Sequence, residues 1–502
     1  MSILIKNLIK TLQKSTKQSI DNKEIILDKD LPKNITALKE IYSYPDNTDV
    51  QFRSLHINGL DKTAMVVFIS TITNTKIIDE HIVEPLLKNQ LKDSRIENII
   101  TIQSYKKKNN MKDVLIDINT GNAALFIDGE DQAYLLNVTN FEGRGIEKPD
   151  NETVVKGPKE AFNEKAATNI SLVRKRIKNE KLVIENITVS KRSKNEVYVA
   201  YIKDVANEHL LNNVKERLKA LDVDAIQNLS LLEQYIEERK HSIFPTVLYT
   251  ERPDRAVSFL EDGYIVLLMD NSPDSLVLPA TFWSFFHSSE DHYLRLIYGN
   301  FTRILRMAAL FITIFTSAIY VGVVTYHIEM VPPDLLLAIT ATREKVPFPA
   351  AIEVLLMEFA FELIREAGLR VPSPIGPTIG IVGALILGQA AVEANIVSPI
   401  VVIVVALSGL SSFAIGDISM NFTIRIIRFI FIIAASLFGI YGMTAVFTMG
   451  LFYMVSLKSF GIPYLSPLSP KYKSSKDTLF RRALQNEIFR PGYVKPKDMT
   501  KR

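Results

Sequence analysis

Between Met307 and Tyr326 the chain runs for twenty residues with no ionisable side chain other than tyrosine. A helix needs about 20 such residues to cross the ~30 Å hydrocarbon core of a bilayer. Arg303 and Arg306 stand before the run as interfacial anchors. From Val371 to Gly416 the only Asp, Glu, Lys or Arg is Glu393, which leaves room for two more spans, at about Gly376–Ile396 and Val397–Ile415. Phe429–Leu457 reads as a final long span, with Arg425 and Arg428 before it and Lys458 after it. One run of this kind also fits a buried core helix; three separate runs do not.

The rest of the chain is the complement of this pattern. Overall composition is that of a soluble protein, 47% hydrophobic with a net charge of +4, because most charges lie before Arg306 or after Leu457. There is no cysteine, which excludes disulfides, thiolate catalysis and Cys-ligated metals. The seven histidines show no HxxxH or HExxH spacing. There is no P-loop and no GxSxG, and Gly376, Gly380, Gly383 and Gly388 lie in an apolar run, not a phosphate cradle. The expectation is a protein that is not an enzyme, with no catalytic or metal-binding residues, no cofactor and no nucleic-acid partner.

The opening MSILIKNLIKTLQK is not a signal peptide, since Lys6 and Lys10 interrupt it and no small-residue cleavage site follows. It reads as a short amphipathic helix, which keeps the N-terminal half cytoplasmic. The tail from Lys458 carries eleven Lys and Arg against Asp477, Glu487 and Asp498, so the positive-inside rule places it in the cytoplasm too. Both ends inside require an even number of spans, and four runs fit. Four spans, however, leave Arg425 and Arg428 outside.

The reading divides the chain into an N-terminal tether (1–35), an α/β subdomain (36–145), a second α/β subdomain with a basic linker helix (146–290), a multi-pass helical membrane domain (291–457) and a basic cytoplasmic tail (458–502). The two subdomains look like copies. Ala64–Ser70 and Glu196–Ile202 are matching buried-strand candidates, each followed by a helix, Asp79–Lys88 and Asn207–Leu221. Gly121–Leu136 and Gly263–Leu278 both read as glycine, apolar strand, acidic turn and second strand. Val114–Asn119 also reads as a strand, and each unit is expected to hold a mixed sheet. Asn163–Asn179 reads as a basic helix with Arg174, Lys175, Arg176 and Lys178, either a solvated face or a patch for anionic lipid.

Polar groups inside the helical half are the functional candidates. On Phe348–Arg370, Glu358, Glu362, Arg365 and Glu366 fall on one helical face, while Glu353 falls within the apolar side. A charged carboxylate facing lipid costs about 2.5–3.5 kcal/mol on insertion scales, so this face needs water or a partner. It is either an interfacial helix or the wall of an ion pathway. Gln389 and Glu393 share a face at i, i+4. They read either as a packing contact, helped by nearby glycines, or as part of a water-lined path. The candidate pore-facing or polar membrane residues are therefore Gln389, Glu393, Glu358, Glu362 and Glu366.

Several long stretches resemble the GerA-type spore germination protein family. They are RPDRAVSFLEDGYIVLLMDNSPDSLVLPATF at Arg252–Phe282, TYHIEMVPPDLLLAITATREKVPFPAAIEVLLMEFAFELIREAG at Thr325–Gly368, GIVGALILGQAAVEANIVSPIVVIVVALSGLSSFAI at Gly380–Ile415 and SLKSFGIPYLSPLSP at Ser456–Pro470. KPDNETVVKGPKEAFNE at Lys148–Glu164 belongs with them. HIEMVPPDLL and GQAAVEA favour the nutrient-receptor branch of that family. The resemblance implies the A subunit of a germinant receptor in the inner membrane of a spore. It implies partners as well: a multi-pass B-type subunit, a C-type lipoprotein subunit, membrane lipids, further copies of the chain in an oligomer and a small nutrient ligand for the complex. It implies signalling by ion release, and it transfers no ligand-contact residue. The alternatives are a secondary-transporter-like protein and a membrane scaffold with no ion path of its own.

Overall fold

The computed structural model describes residues 26–90, 95–141, 148–149, 151–370, 386–472 and 477–501. Most of the expected tether and the 376–385 part of the expected span at Gly376–Ile396, with Gly376, Gly380 and Gly383, lie outside the described residues.

The first α/β unit comprises α1 (Leu31–Ile41), β1 (Val50–Ile57), β2 (Lys62–Ile69), β3 (Tyr105–Lys108), α2 (Met111–Asn119), β4 (Ala123–Ile127) and β5 (Ala133–Leu136). Its core begins before residue 36, since Leu27 and Leu31 are already buried in it. The segment read as a strand at Val114–Asn119 is part of α2. Asn110 caps that helix by accepting from Lys112 N–H, and Met111, Val114, Leu115 and Ile118 recur at helical spacing on its buried side. The second unit comprises α3 (Ala166–Arg176), β6 (Leu182–Thr188), β7 (Glu196–Ile202), α4 (Glu208–Lys219), α5 (Leu229–Ile236), β8 (Leu248–Thr250), α6 (Pro253–Glu261), β9 (Ile265–Met269) and β10 (Ser275–Leu278).

The two sheets have the same plan. Their strand orders are β1-β2-β4-β5-β3 and β6-β7-β9-β10-β8. Every ladder in them is antiparallel, where mixed sheets were expected. The copies repeat individual hydrogen bonds. Asn34 clasps the backbone of Asp28 through Oδ1 and Nδ2 at 3.0 and 2.6 Å, and Asn169 clasps Asn163 in the same way at 2.8 and 2.6 Å. Asn74 and Asn207 each cap the helical segment that follows β2 or β7. The duplicated module is therefore present in the fold. Between the units, buried Arg174 grips Asp49 with two hydrogen bonds of 2.9 and 2.7 Å. Arg174 thus belongs to neither a solvated face nor a lipid patch, whereas Lys175 and Arg176 pair with Glu160 near the surface.

One difference between the copies explains the tail. In the first unit the chain continues past β5, and Asn140 N–H bonds the Ile72 carbonyl at 3.0 Å. In the second unit the chain leaves after β10 for the helical half. The corresponding carbonyl, Val205, takes the N–H of Lys497 at 2.9 Å. Asn207 donates to the carbonyls of Val494 and Lys495, and Tyr493 and Val494 are buried in the second core. The basic tail is therefore no loose appendage: residues 490–501 complete the second unit. Residues 477–481 bind the base of the next helix, through Asp477 on Arg303 and through Arg481 N–H on Asn300 at 2.9 Å. Burial pushes the Asp477 carboxyl up, but His287, His292 and Arg303 outweigh that and hold it well below the usual range.

The helical half contains α7 (Leu296–Tyr326), α8 (Pro333–Arg343), α9 (Ala350–Arg370), a helical stretch at 386–393, α10 (Pro399–Ser412) and α11 (Ile418–Ser456). Two of these, α7 and α11, are long and apolar enough to cross a membrane. α11 is not one straight rod. Gly439, at φ 60° and ψ −141°, reverses it into two arms, a conformation that only glycine adopts readily. The rings of Phe431 and Phe447 both lie against Phe315, at 5.1 and 5.7 Å, although a straight helix would hold them about 24 Å apart. The arms return to the same unit: Thr423 bonds the Ile243 carbonyl at 2.6 Å and Tyr453 meets Ser242 at 3.3 Å. The run read as a single span at Phe429–Leu457 therefore takes in the end of the first arm, the turn and the second arm of a helical hairpin, and Arg425 and Arg428 lie inside the first arm.

The other helices alternate in direction. α7 leaves the second unit and ends where His327 meets the turn at Gly439, accepting from Ile440 N–H at 3.3 Å. α9 returns, with Glu353 near the far end and Arg365 near the unit end, where it bonds Ser412 at 2.6 Å. The stretch at 386–393 packs beside α10, which descends to Ser412. Asn421 then ties the first arm of α11 to the Ser412 carbonyl at 2.6 Å.

Candidate functional site

A belt of charged side chains crosses the interior of the helical half. α9 presents Glu358 and Glu362 one turn apart, and the first arm of α11 presents Arg425 and Arg428 at i, i+3. Arg428 and Glu358 pair at 3.0 Å, and both side chains are fully buried. The other guanidinium nitrogen of Arg428 bonds Glu362 at 2.6 Å. Arg425 grips the same carboxylate from its second side. Serines close the belt: Ser317 of α7 donates to Glu358 at 2.6 Å, and Ser408 of α10 receives a bond from Arg428 at 3.2 Å. Buried charges need partners of this kind, because desolvation costs several kcal/mol per ion. Every helix of the belt contributes one, so the network fixes which faces meet.

Glu353, the residue that broke the apolar pattern, is solved in the same way. It is fully buried, accepts from Arg343 at 3.1 Å and takes the N–H of Ser398 at 2.9 Å. It joins α8, α9 and the start of α10 at the far end.

The structure thus separates the five candidate residues. Glu358 and Glu362 face arginines within one chain and are not bare carboxylates on a water path. Glu366, one turn further along α9, is exposed. Gln389 and Glu393 are exposed as well, bonded to each other at 2.9 Å on the 386–393 stretch, away from the belt. The sequence reading had missed Arg425 and Arg428 as partners, together with Ser317 and Ser408. The signal was there. Two arginines three residues apart on an otherwise uncharged helical arm and two glutamates four residues apart on one face of another helix are complementary. Reading Arg425 and Arg428 as an end-flank of a span hid this. Among the described residues no group of His, Asp and Glu is arranged to hold a metal.

Known proteins match the chain over almost its whole length. The sequence model of the Bacillus/Clostridium GerA spore germination protein matches residues 36–493. The chain belongs to the GerA family. That match takes in most of both α/β units, the charged belt and the tail as far as Tyr493. Among GerA-like relatives, spore germination protein KA of Bacillus subtilis (strain 168) is 37% identical over 96% of this chain and 90% of its own length. The uncharacterized membrane protein YfkQ of the same organism is 37% identical over 91% of this chain and 90% of its own length. A solved structure, the N-terminal domain of the A subunit of the Bacillus megaterium spore germinant receptor GerK3, is 27% identical. It covers 52% of this chain and 98% of its own, with a TM-score of 0.41.

Proposed function

We propose that this GerA family member is the A-type subunit of a membrane receptor that responds to small nutrients and triggers spore germination by forming or gating an ion path. It would act with a multi-pass B-type subunit and a C-type lipoprotein, as a receptor and not as an enzyme, in the inner membrane of the spore. The membrane part of this reading is supported by the two long apolar helices and by the word "membrane" in the name of a 37% identical relative. The alternating course of α7, α9, the 386–393 stretch, α10 and the two arms of α11 suggests six crossings, not four. Six is even, so the α/β units and the tail share one side. The packing of the tail into the second unit independently requires this. Six crossings also return Arg425 and Arg428 to the cytoplasmic side of the bundle and remove the conflict that four crossings left.

The ion path rests on one observation. Glu393 and Gln389 form an exposed polar pair on the helical half, with Ile386 and Leu387 exposed on the turn before them. A carboxylate on the outside of a membrane bundle needs other chains or water against it. Copies of this chain set side by side would turn such pairs into a ring, and carboxylate rings favour cations. The belt carboxylates Glu358 and Glu362 would then hold together the bundle against which the 386–393 stretch packs. The test is Glu393→Gln in spores, with release of monovalent cations followed after nutrient addition. Release should slow at least severalfold while the amount of assembled protein stays the same. Unchanged release would reduce Glu393 to a packing residue and remove the pathway from this face. The scaffold alternative predicts that outcome, and a transporter predicts substrate-coupled flux instead.

A further inference from the structure

α5 and the loop after it, residues 237–243, occupy an unusual position on the second unit. The loop lies against both arms of α11 where they reach that unit. Arg239 donates to the Ser456 hydroxyl at 3.0 Å and to its carbonyl at 3.1 Å, at the end of the second arm. Ser242 meets Tyr453, about one turn inside the same end, and the Ile243 carbonyl receives Thr423 of the first arm. The loop is therefore level with the last turns of the apolar helices and not below them.

The composition of its outer face fits that level. Leu231 and Tyr235 on α5 and Ile243 on the loop are 40%, 42% and 44% exposed. Lys240 and His241 are exposed beside them. The acids of the same loop turn inward: Glu237 accepts from the backbone and hydroxyl of Thr246 at 3.2 and 2.8 Å. Glu238 pairs with Arg217 at 2.9 Å and takes the N–H of Gly461. The apolar and basic groups face outward while the carboxylates are withdrawn. A surface ordered in this way suits a headgroup layer, where apolar tips enter the acyl boundary and cations meet phosphate. In water, the same three apolar side chains would have no partner.

We propose that Leu231, Tyr235, Lys240, His241 and Ile243 form a membrane-surface anchor by which the second α/β unit rests on acidic phospholipid headgroups. The inference rests on the reading of α7 and α11 as membrane-crossing. Seating the unit at both arms of α11 fixes its height and tilt, so that movement of the α/β units is delivered to the hairpin rather than lost in a flexible joint.

The chain has no cysteine, so single-cysteine variants report single sites. The full-length protein is reconstituted in phosphatidylglycerol/phosphatidylcholine vesicles, with a polarity-sensitive dye at Leu231→Cys or, separately, at Ile433→Cys on the first arm of α11. Quenchers are carried either at the lipid headgroup or in mid-chain. The expected result is headgroup quenching at position 231, mid-chain quenching at position 433, and a phosphatidylglycerol dependence at 231 that falls about fivefold or more in Lys240→Glu. If 433 is quenched by lipid and 231 only by aqueous iodide, the anchor is wrong and the membrane reading stands. If neither site is quenched by lipid, both fall. If quenching at 231 is equal in pure phosphatidylcholine and unaffected by Lys240→Glu, the proposed recognition of acidic headgroups is overturned.

Discussion

Arg428 and Glu358 meet 3.0 Å apart with neither side chain open to solvent. Two fully buried opposite charges between packed helices hold those helices in one register, because any slip would strand a charge. Arg428→Met leaves Glu358 and much of Glu362 uncompensated, and breaking a buried pair in this way costs about 3–5 kcal/mol. The expected outcome is a large fall in thermal stability of the detergent-purified protein. Adding Glu358→Gln should recover part of the loss, since it removes one stranded charge. If Arg428→Met melted with the wild type, the belt would not be holding the bundle.

Gly439 makes the hairpin. A Cβ there would stand 2.8 Å from Nε2 of His327 and would have to adopt a left-handed backbone. Gly439→Ala should lower stability by about 1–3 kcal/mol. Spin labels at positions 431 and 447 should report a short separation in the parent protein. A separation near the ~24 Å of a straight helix would exclude the reversal.

The tail completes the second unit mainly through Tyr493, Val494 and the backbone of Lys497. Val494→Asp places a charge in a site only 1% exposed and should release the segment. Amide exchange near Val205 and Asn207 should then accelerate at least tenfold, while the equivalent Ile72 and Asn74 of the first unit, closed by residues 138–140, stay protected. Equal acceleration in both units would mean general unfolding and would refute the strap.

Glu233 on α5 gives a pH signature. Burial, together with Glu237, Asp417 and Asp274, pushes its carboxyl up to about 8. The folded chain thus keeps a proton that the unfolded chain releases at its ordinary value of 4.5. Its contribution is complete below 4.5 and is lost as pH rises through 8, so stability should decline over that window. Glu233→Gln should flatten the decline, raising the melting temperature at pH 8.5 and leaving it nearly unchanged at pH 5. A variant that melts with the wild type at pH 8.5 would show that Glu233 ionises freely.

The sequence by itself determined where the long apolar helices lie and that its α/β part is doubled. Uncharged runs such as Met307–Tyr326 and strand patterns such as Glu196–Ile202 are set by local composition and periodicity, and the fold keeps both. The same local logic misread Val114–Asn119, a short β-branched stretch whose helix depends on the cap at Asn110. It also marked Glu358 and Glu362 as costly in lipid without naming their partners. That choice belonged to the tertiary structure. Gly439 folds α11 back on itself, and α9 then packs against its first arm, bringing Arg428 to glutamates more than sixty positions away. The tail shows the same limit. Its charge read only as a mark of the cytoplasmic side, yet Tyr493 and Val494 are buried because the second unit lacks the segment after β5 that closes the first. That gap exists only once the second unit has folded, so nothing in the tail's own residues announces that they fill it.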